Sequence, residues 1–231
     1  MQQHIEHGPA FAWLRVQLGP GESIQAEAGA MVRQSPQLQM TTRLNAGAHP
    51  GPFGWVVAIF VALIRKFFGG ESTFVNRFSG DQGGEVVLAP ALSGQIKKHV
   101  VTDGAGIFVQ RGSYLASTGT LDVRVRWGGL RTLLGGEGLV LLHCSGQGDL
   151  FVNSYGGVVE VPVRGRFVVD TGHIVAFDET LEFRVRSVGG VKAFLFSGEG
   201  LVCEFQGQGR VLVQSRNMKA LVNWLTPMLS G

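Results

Sequence analysis

The side chains that could carry chemistry are few and scattered. The six histidines are His4, His7, His49, His99, His143 and His173. None has a second His or a Cys at metal-ligand spacing except the adjacent pair His143-Cys144, and neighbours on a strand point to opposite faces. His4 and His7 flank Glu6 and could take up a metal adventitiously, although a mobile terminus is the simpler reading. Cys144 and Cys203 lie in apolar runs without a CxxC partner. They read as buried free thiols, not as zinc ligands. Asp170, Asp178 and Glu179 fall in one stretch and Asp103 in a loop. Paired carboxylates can do acid–base work, but no partner histidine accompanies these. The phosphate-binding GxxxxGK[ST], the zincin HExxH and the GxSxG elbow are absent from the sequence. The glycine-rich runs fall between strands, not at a strand-to-helix turn, so they do not cradle a dinucleotide. The sequence therefore predicts no catalytic residue, no metal ligand and no cofactor, in a protein that is not an enzyme.

One carboxylate does recur. Gly-Glu appears as Gly21-Glu22, Gly70-Glu71, Gly136-Glu137 and Gly198-Glu199. Glu71, Glu137 and Glu199 could form a ring of carboxylates, or each could cap a turn through nearby backbone N–H groups. Repetition favours the turn. After each of these three comes an apolar strand, then a glycine turn (80–83, 146–148 and 207–209), then a second apolar strand: Val86-Val87-Leu88, Leu150-Phe151-Val152 and Val211-Leu212-Val213. The pattern reads as one β-hairpin written three times. A second element also occurs three times, at 28–32, 112–116 and 172–176, each followed by a strand of alternating character such as Leu181-Glu-Phe-Arg-Val185.

The elements that must position these residues are thus strands in a threefold internal repeat. The expected fold is mainly β: repeated antiparallel β-sandwich units with a pseudo-threefold repeat, one apolar helical insertion and a C-terminal helix. The expected units are about 8–90 with an insertion at 45–68, then 91–155, then 156–214, followed by a helix within 215–229. In that helix, Met218, Leu221, Val222 and Leu225 share a face. Ser215 is the expected N-cap, Pro227 the stop, and the sheet the expected docking surface.

The insertion is the least ordinary segment. Residues 53–64 carry no charge and are closed by Arg65-Lys66. The run is short of the ~20 apolar residues that span a bilayer, and it is apolar all round. Three fates are open: burial in the monomer, burial between subunits, or a membrane interface with Trp55 and Arg65-Lys66 at the headgroups. Phe53, Trp55, Val56, Ile59, Phe60, Leu63, Arg65 and Lys66 form the expected interaction surface.

Composition narrows the function classes further. Charged residues make up 16% of the 231, against the ~25% of an average domain, and 45% are hydrophobic, which excludes a disordered chain. The 35 glycines lack a period of three, which excludes collagen. Net charge is +3, and the locally basic stretches (Lys97-Lys98-His99, 124–131, Arg164 with Arg166) alternate with apolar residues or glycine. They read as solvent faces of strands, so nucleic acid is not the expected partner. Met1-Gln-Gln-His-Ile-Glu-His has no basic region followed by an apolar run, so a cytoplasmic protein is expected, with peripheral membrane contact open.

The segment 18–32, Leu-Gly-Pro-Gly-Glu-Ser-Ile-Gln-Ala-Glu-Ala-Gly-Ala-Met-Val, resembles the opening of the altered inheritance of mitochondria family. Phe68-Gly-Gly-Glu-Ser-Thr-Phe74, Leu134-Gly-Gly-Glu-Gly-Leu139 and Gly198-Glu-Gly-Leu-Val202 with Gln214-Ser-Arg216 fit the same pattern. The resemblance covers about residues 8–229. It implies repeated β-sandwich units similar to the tryptophan RNA-binding attenuation protein, in trimers. It implies no catalytic residue, and its bacterial members are conserved proteins of unknown function. The apolar run at 53–64 is longer than the family pattern leads one to expect. The reading that follows is a non-enzymatic, oligomeric β scaffold, a homotrimer by expectation, presenting a surface to a protein or membrane partner. The alternative, from likeness of fold, is a module that binds nucleic acid or a small ligand.

Overall fold

The computed structural model describes residues 1–44, 74–118, 120–127, 139–187 and 201–229. The insertion surface (Phe53, Trp55, Val56, Ile59, Phe60, Leu63, Arg65, Lys66) and Glu71, Glu137 and Glu199 lie outside the described residues.

Within them the protein is mainly β, in several antiparallel sheets with one C-terminal helix. Strands β1 (Gln2–Glu6), β2 (Trp13–Leu18), β3 (Ser23–Glu27), β4 (Met31–Gln34), β5 (Gln39–Leu44), β6 (Phe74–Ser79) and β7 (Gly84–Leu88) come first. Then follow β8 (Ile96–Val101), β9 (Ile107–Gln110), β10 (Tyr114–Thr118), β11 (Asp122–Trp127), β12 (Val140–Ser145) and β13 (Gly148–Asn153). The last are the long β14 (Val158–Asp170), β15 (Ile174–Asp178), β16 (Glu182–Ser187), the long β17 (Leu201–Gln214) and helix α1 (Met218–Leu229). Alternation decides which face each strand buries: in β2, Leu14, Val16 and Leu18 point into the core and the residues between them point outward.

The sheets run β1-β2-β7-β4, then β5-β6-β3-β10-β13-β8, then β11-β12-β9-β15-β17-β14, with β16 also on β17. This corrects the expected hairpins. The strands on either side of a glycine turn do not pair: β6 joins β3 and β5, whereas β7 joins β2 and β4. Likewise β12 pairs β11 and β9 while β13 pairs β10 and β8. The glycines make corners at which the chain leaves one sheet for another. Gly83 and Gly146 adopt φ of +70° and +98° there, a region open to glycine at little cost. At the third site no turn forms, and β17 runs through Gly207–Gly209 as one strand opposite β14.

Three local constructions each occur three times. A bulge falls at Met31/Arg33 on β4, at Tyr114/Ala116 on β10 and at Ile174/Ala176 on β15. A turn after each of these strands closes with Leu38, Leu121 or Leu181 donating to the carbonyl of Ser35, Thr118 or Asp178, and all three leucines are buried. The side chains that open those turns, Ser35 Oγ, Thr118 Oγ1 and Asp178 Oδ2, accept from the backbone N–H of Glu85, Asp149 and Arg210 at 2.9, 2.8 and 2.9 Å.

Among the described residues the core falls into three clusters. The first gathers Leu14, Val16, Ile24, Phe78 and Leu88, the second Val101, Ile107, Tyr114, Leu142 and Leu150, the third Leu141, Phe177, Leu181, Phe205 and Val211. They interlock, because Leu115 of β10 is a member of the first and Val175 of β15 a member of the second. The stacked and edge-on rings of Phe108, Phe177, Phe183 and Phe205 fill the third.

Candidate functional site

Two places stand out: a polar cleft, and the helix at the C-terminal end.

The cleft, about 450 Å³, opens between β8, the start of β14, the turn after β15 and β17, with Lys97, His99, Glu160, Asp178, Glu179 and Arg210 on its walls. Two of the sequence-singled carboxylates meet here. Asp178 closes β15, opposite Ile107 of β9, and Glu179 follows it in the turn. Asp178 takes Arg210 Nε on Oδ2 and Arg210 Nη2 on Oδ1, both at 3.0 Å, besides the backbone bond. The paired carboxylate raises the arginine pKa further. Glu179 accepts from Gly106 N–H at 2.7 Å through Oε1 and meets His143 Nε2 at 2.7 Å through Oε2. The His143 bond, and then the Gly106 bond, lower its pKa below the ordinary carboxylate range. His99 is pushed down too, first by burial and then by the Arg210 charge, which disfavours its protonation. Both oxygens of Asp178 accept from Arg210, and Glu179 is held between Gly106 N–H and the His143 ring. Ion pairs and hydrogen bonds tie the walls of the cleft together beside the β9–β15 junction.

The basic stretch on β8 is committed in the same way. Lys97 pairs with Glu160 at 2.8 Å. Lys98 reaches Asp149 at 2.9 Å and Gln3 at 2.8 Å. Arg166 and Arg186 share Glu204. The remaining singled residues lie elsewhere. Asp170 accepts from Gly172 N–H at 2.7 Å. Glu6 is held by Trp13 and Arg15 at 2.7 and 2.8 Å, and His7 packs edge-on against Trp13. Glu22, the first Gly-Glu glutamate, accepts from Gly19 N–H at 2.7 Å and pairs with the chain's amino group, a turn-capping role. Cys144 and Cys203 are buried thiols, both pushed up to about 12 by burial. Among the described residues no group of three or more His, Cys, Asp or Glu is arranged to hold a metal.

Sequence reasoning missed Glu160 and Arg210, because their partners are set by strand register. A signal did exist. Where two of the three glycine sites are followed by an acid, Glu85 or Asp149, the third is followed by Arg210, and the facing Ser35 and Thr118 become Asp178.

Helix α1 departs from expectation in three ways. Its N-cap is Asn217, whose Oδ1 accepts from Ala220 N–H at 2.7 Å, while Ser215 Oγ accepts from Gly157 N–H at 2.9 Å. It runs on through Pro227. And it does not dock on the sheet, since none of its residues is buried. The docking expectation assumed that an apolar face must find the sheet of its own chain. Instead Asn217, bonded to His173 at 2.9 Å, and Arg216, over the Tyr155 ring, fix only the root. Val222, Trp224, Met228 and Leu229 are 50%, 61%, 61% and 79% exposed. Among the described residues no helix is long and apolar enough to cross a membrane.

Comparison with known proteins bears on the whole arrangement. The family model described as mitochondrial biogenesis AIM24 matches residues 3–216. An uncharacterized protein of Streptococcus pyogenes serotype M6 is 26% identical over 235 residues, covering 97% of this chain and 90% of that protein. The X-ray structure of a Streptococcus pyogenes protein, solved by a structural genomics consortium, superposes with a TM-score of 0.81 at 24% identity, covering 98% of this chain and 99% of that one. At that identity the likeness speaks to fold.

Proposed function

The chain belongs to the mitochondrial biogenesis AIM24 family, and from that starting point we propose that it is a non-enzymatic, homo-oligomeric β scaffold that presents an apolar surface to a protein or membrane partner. The observation that carries this is α1, a helix rooted by Asn217 and Arg216 that leaves Met218, Val222, Trp224, Met228 and Leu229 exposed. Leaving Trp224 and Leu229 exposed forgoes hydrophobic stabilisation of about 25 cal/mol per Å², which a bound partner recovers. The uncharged run at 53–64 is a second apolar segment in the sequence. The scaffold is three copies of one unit, about 8–90, 91–155 and 156–214. The threefold bulge, turn and cap described above support this division. A trimer is the assembly we expect, and contact with a membrane is peripheral.

The test is flotation with vesicles of phosphatidylcholine and phosphatidylglycerol, run beside light-scattering mass. The comparison is between wild type and the double variant Val222→Glu/Trp224→Glu. Flotation lost in the variant identifies a membrane-facing helix. A mass that falls in the variant, with no flotation in either, identifies a protein-facing one. A variant indistinguishable from wild type in both would overturn the reading.

A further inference from the structure

Four segments lie side by side at the root of α1, laced by their backbones. Ala12 N–H donates to the Gly94 carbonyl at 3.3 Å. Gly94 forms a parallel bridge with Gly156, flanked by bonds from Gln95 N–H to the Gly156 carbonyl at 3.1 Å and from Gly156 N–H to the Ser93 carbonyl at 2.9 Å. Arg216 N–H then reaches the Tyr155 carbonyl at 3.3 Å, and Ser215 N–H that of Gly157 at 2.9 Å. Glycine permits the approach, since a methyl group on Gly94 would strike the Ser154 and Gly156 backbone.

Two apolar features rise from this end. Residues 7–11 are all exposed, and Phe11 at their tip is 74% exposed. Phe11 adjoins Ala12, so three strand spacings of ~4.8 Å put it roughly 15 Å from the start of α1. On α1, Met218, Val222, Leu225 and Leu229 fall on one stripe with Trp224 at its margin, and Lys219, Asn223 and Thr226 fall opposite. Charge is as one-sided as hydropathy. Residues 7–12, 89–95, 154–157 and 215–229, which build this end, contain Arg216 and Lys219 but no Asp or Glu. Glu6, next to the first segment, is tied to Trp13 and Arg15, and Asp170, near the helix root, caps Gly172.

We propose that the Phe11 loop and α1 form one surface that lies on an anionic lipid bilayer. Phe11 and the apolar stripe enter below the headgroups, and Arg216 and Lys219 meet the negative charge. The inference rests on the apolar-surface reading above and names its partner. Two separate apolar points on an acid-free, basic face match a fluid anionic surface, which adapts to both at once. A helix of 12 residues, about 18 Å long, is too short to cross and lies in the interface. Tryptophan at the edge of the apolar stripe sits at headgroup depth in such a helix.

The experiment uses the full chain with an environment-sensitive dye on Phe11→Cys or on Asp103→Cys. The native thiols are buried and do not take the dye. Asp103 is exposed and follows β8, whose other end adjoins Gly94, so it serves as the distant control. With vesicles of phosphatidylcholine and phosphatidylglycerol, emission is expected to shift to the blue at residue 11 and not at residue 103. Binding should be at least tenfold weaker to phosphatidylcholine alone. Lys219→Gln should weaken binding to the anionic vesicles about fivefold. Phe11→Ser, an exposed change that leaves circular dichroism as in wild type, should weaken it at least tenfold. A protein that floats with no shift at residue 11, or that binds both vesicles equally, overturns the proposal and leaves α1 as an apolar surface. No flotation, with a mass that falls in Val222→Glu/Trp224→Glu, overturns it in favour of a protein partner. If that double variant matches wild type in flotation and in mass, the underlying reading fails with it.

Discussion

Asp178 accepts three hydrogen bonds from one residue, Arg210: its backbone N–H at 2.9 Å and its guanidinium Nε and Nη2 at 3.0 Å each. The strand-opening cap and the ion pair are therefore one object. It fastens the end of β15 to β17 beside the β9 junction.

Replacing Asp178 with Ala removes all three bonds and leaves a half-exposed guanidinium whose remaining ion pair among the described residues is the 3.6 Å contact to Glu160. The expected loss is about 1–3 kcal/mol, read as a lower denaturation midpoint in urea. Arg210→Lys keeps the charge and the backbone bond but loses the two-pronged geometry, so it should fall between wild type and Asp178→Ala. A lysine variant as unstable as the alanine one would mean that the backbone cap contributes little.

Gly106 and Glu179 approach as closely as glycine permits. Gly106 donates to Glu179 Oε1 at 2.7 Å, and its carbonyl accepts from Glu179 N–H at 3.1 Å. A methyl group at residue 106 would run into Glu179 Oε2 and His143 Nε2. Gly106→Ala should therefore cost about 1–3 kcal/mol through displacement of the Glu179 side chain. The loss should shrink in a Glu179→Ala background, the coupling expected of touching residues. Equal losses in both backgrounds would place the strain elsewhere.

Two glutamates should give stability opposite slopes with pH. Glu27, near the end of β3, is raised to about 7 from 4.5, chiefly by burial, with the Arg111 charge opposing. Between those values the folded state holds a proton that the unfolded state has lost, so this residue's contribution falls as pH rises from 4.5 to 7. Glu27→Gln should match wild type near pH 4 and melt higher above pH 7, by about 2–4 °C for each kcal/mol recovered. Glu179 is lowered instead, so its contribution is present above about 4.5 and disappears as pH falls through the lower folded value. Melting curves from pH 3 to 8 for wild type and both glutamine variants check the two signs. A Glu27→Gln curve parallel to wild type would remove the buried-carboxylate account.

Much of the mainly β architecture was legible from alternation alone. The alternation of Leu181-Glu-Phe-Arg-Val185 and the burial of Cys144 and Cys203 follow from local pattern. Corners and hairpins, however, use the same glycines with positive φ, so Gly146-Gln-Gly148 could not say whether β13 folds back on β12 or crosses to β10. The apolar face of α1 was equally clear, yet an apolar stripe does not name what covers it.

The residues determined by themselves which side chains turn inward, where the chain bends and which helix face is apolar, because these depend on neighbours two to four positions away. Only the tertiary structure decided that Asp178 meets Arg210, and that Leu115 and Val175 fill the core across the β3–β10 and β9–β15 pairings while Val32 is exposed. Those outcomes depend on strand pairing between segments far apart in sequence. Backbone hydrogen bonds, which every residue but proline can donate, do not by themselves single out a partner strand.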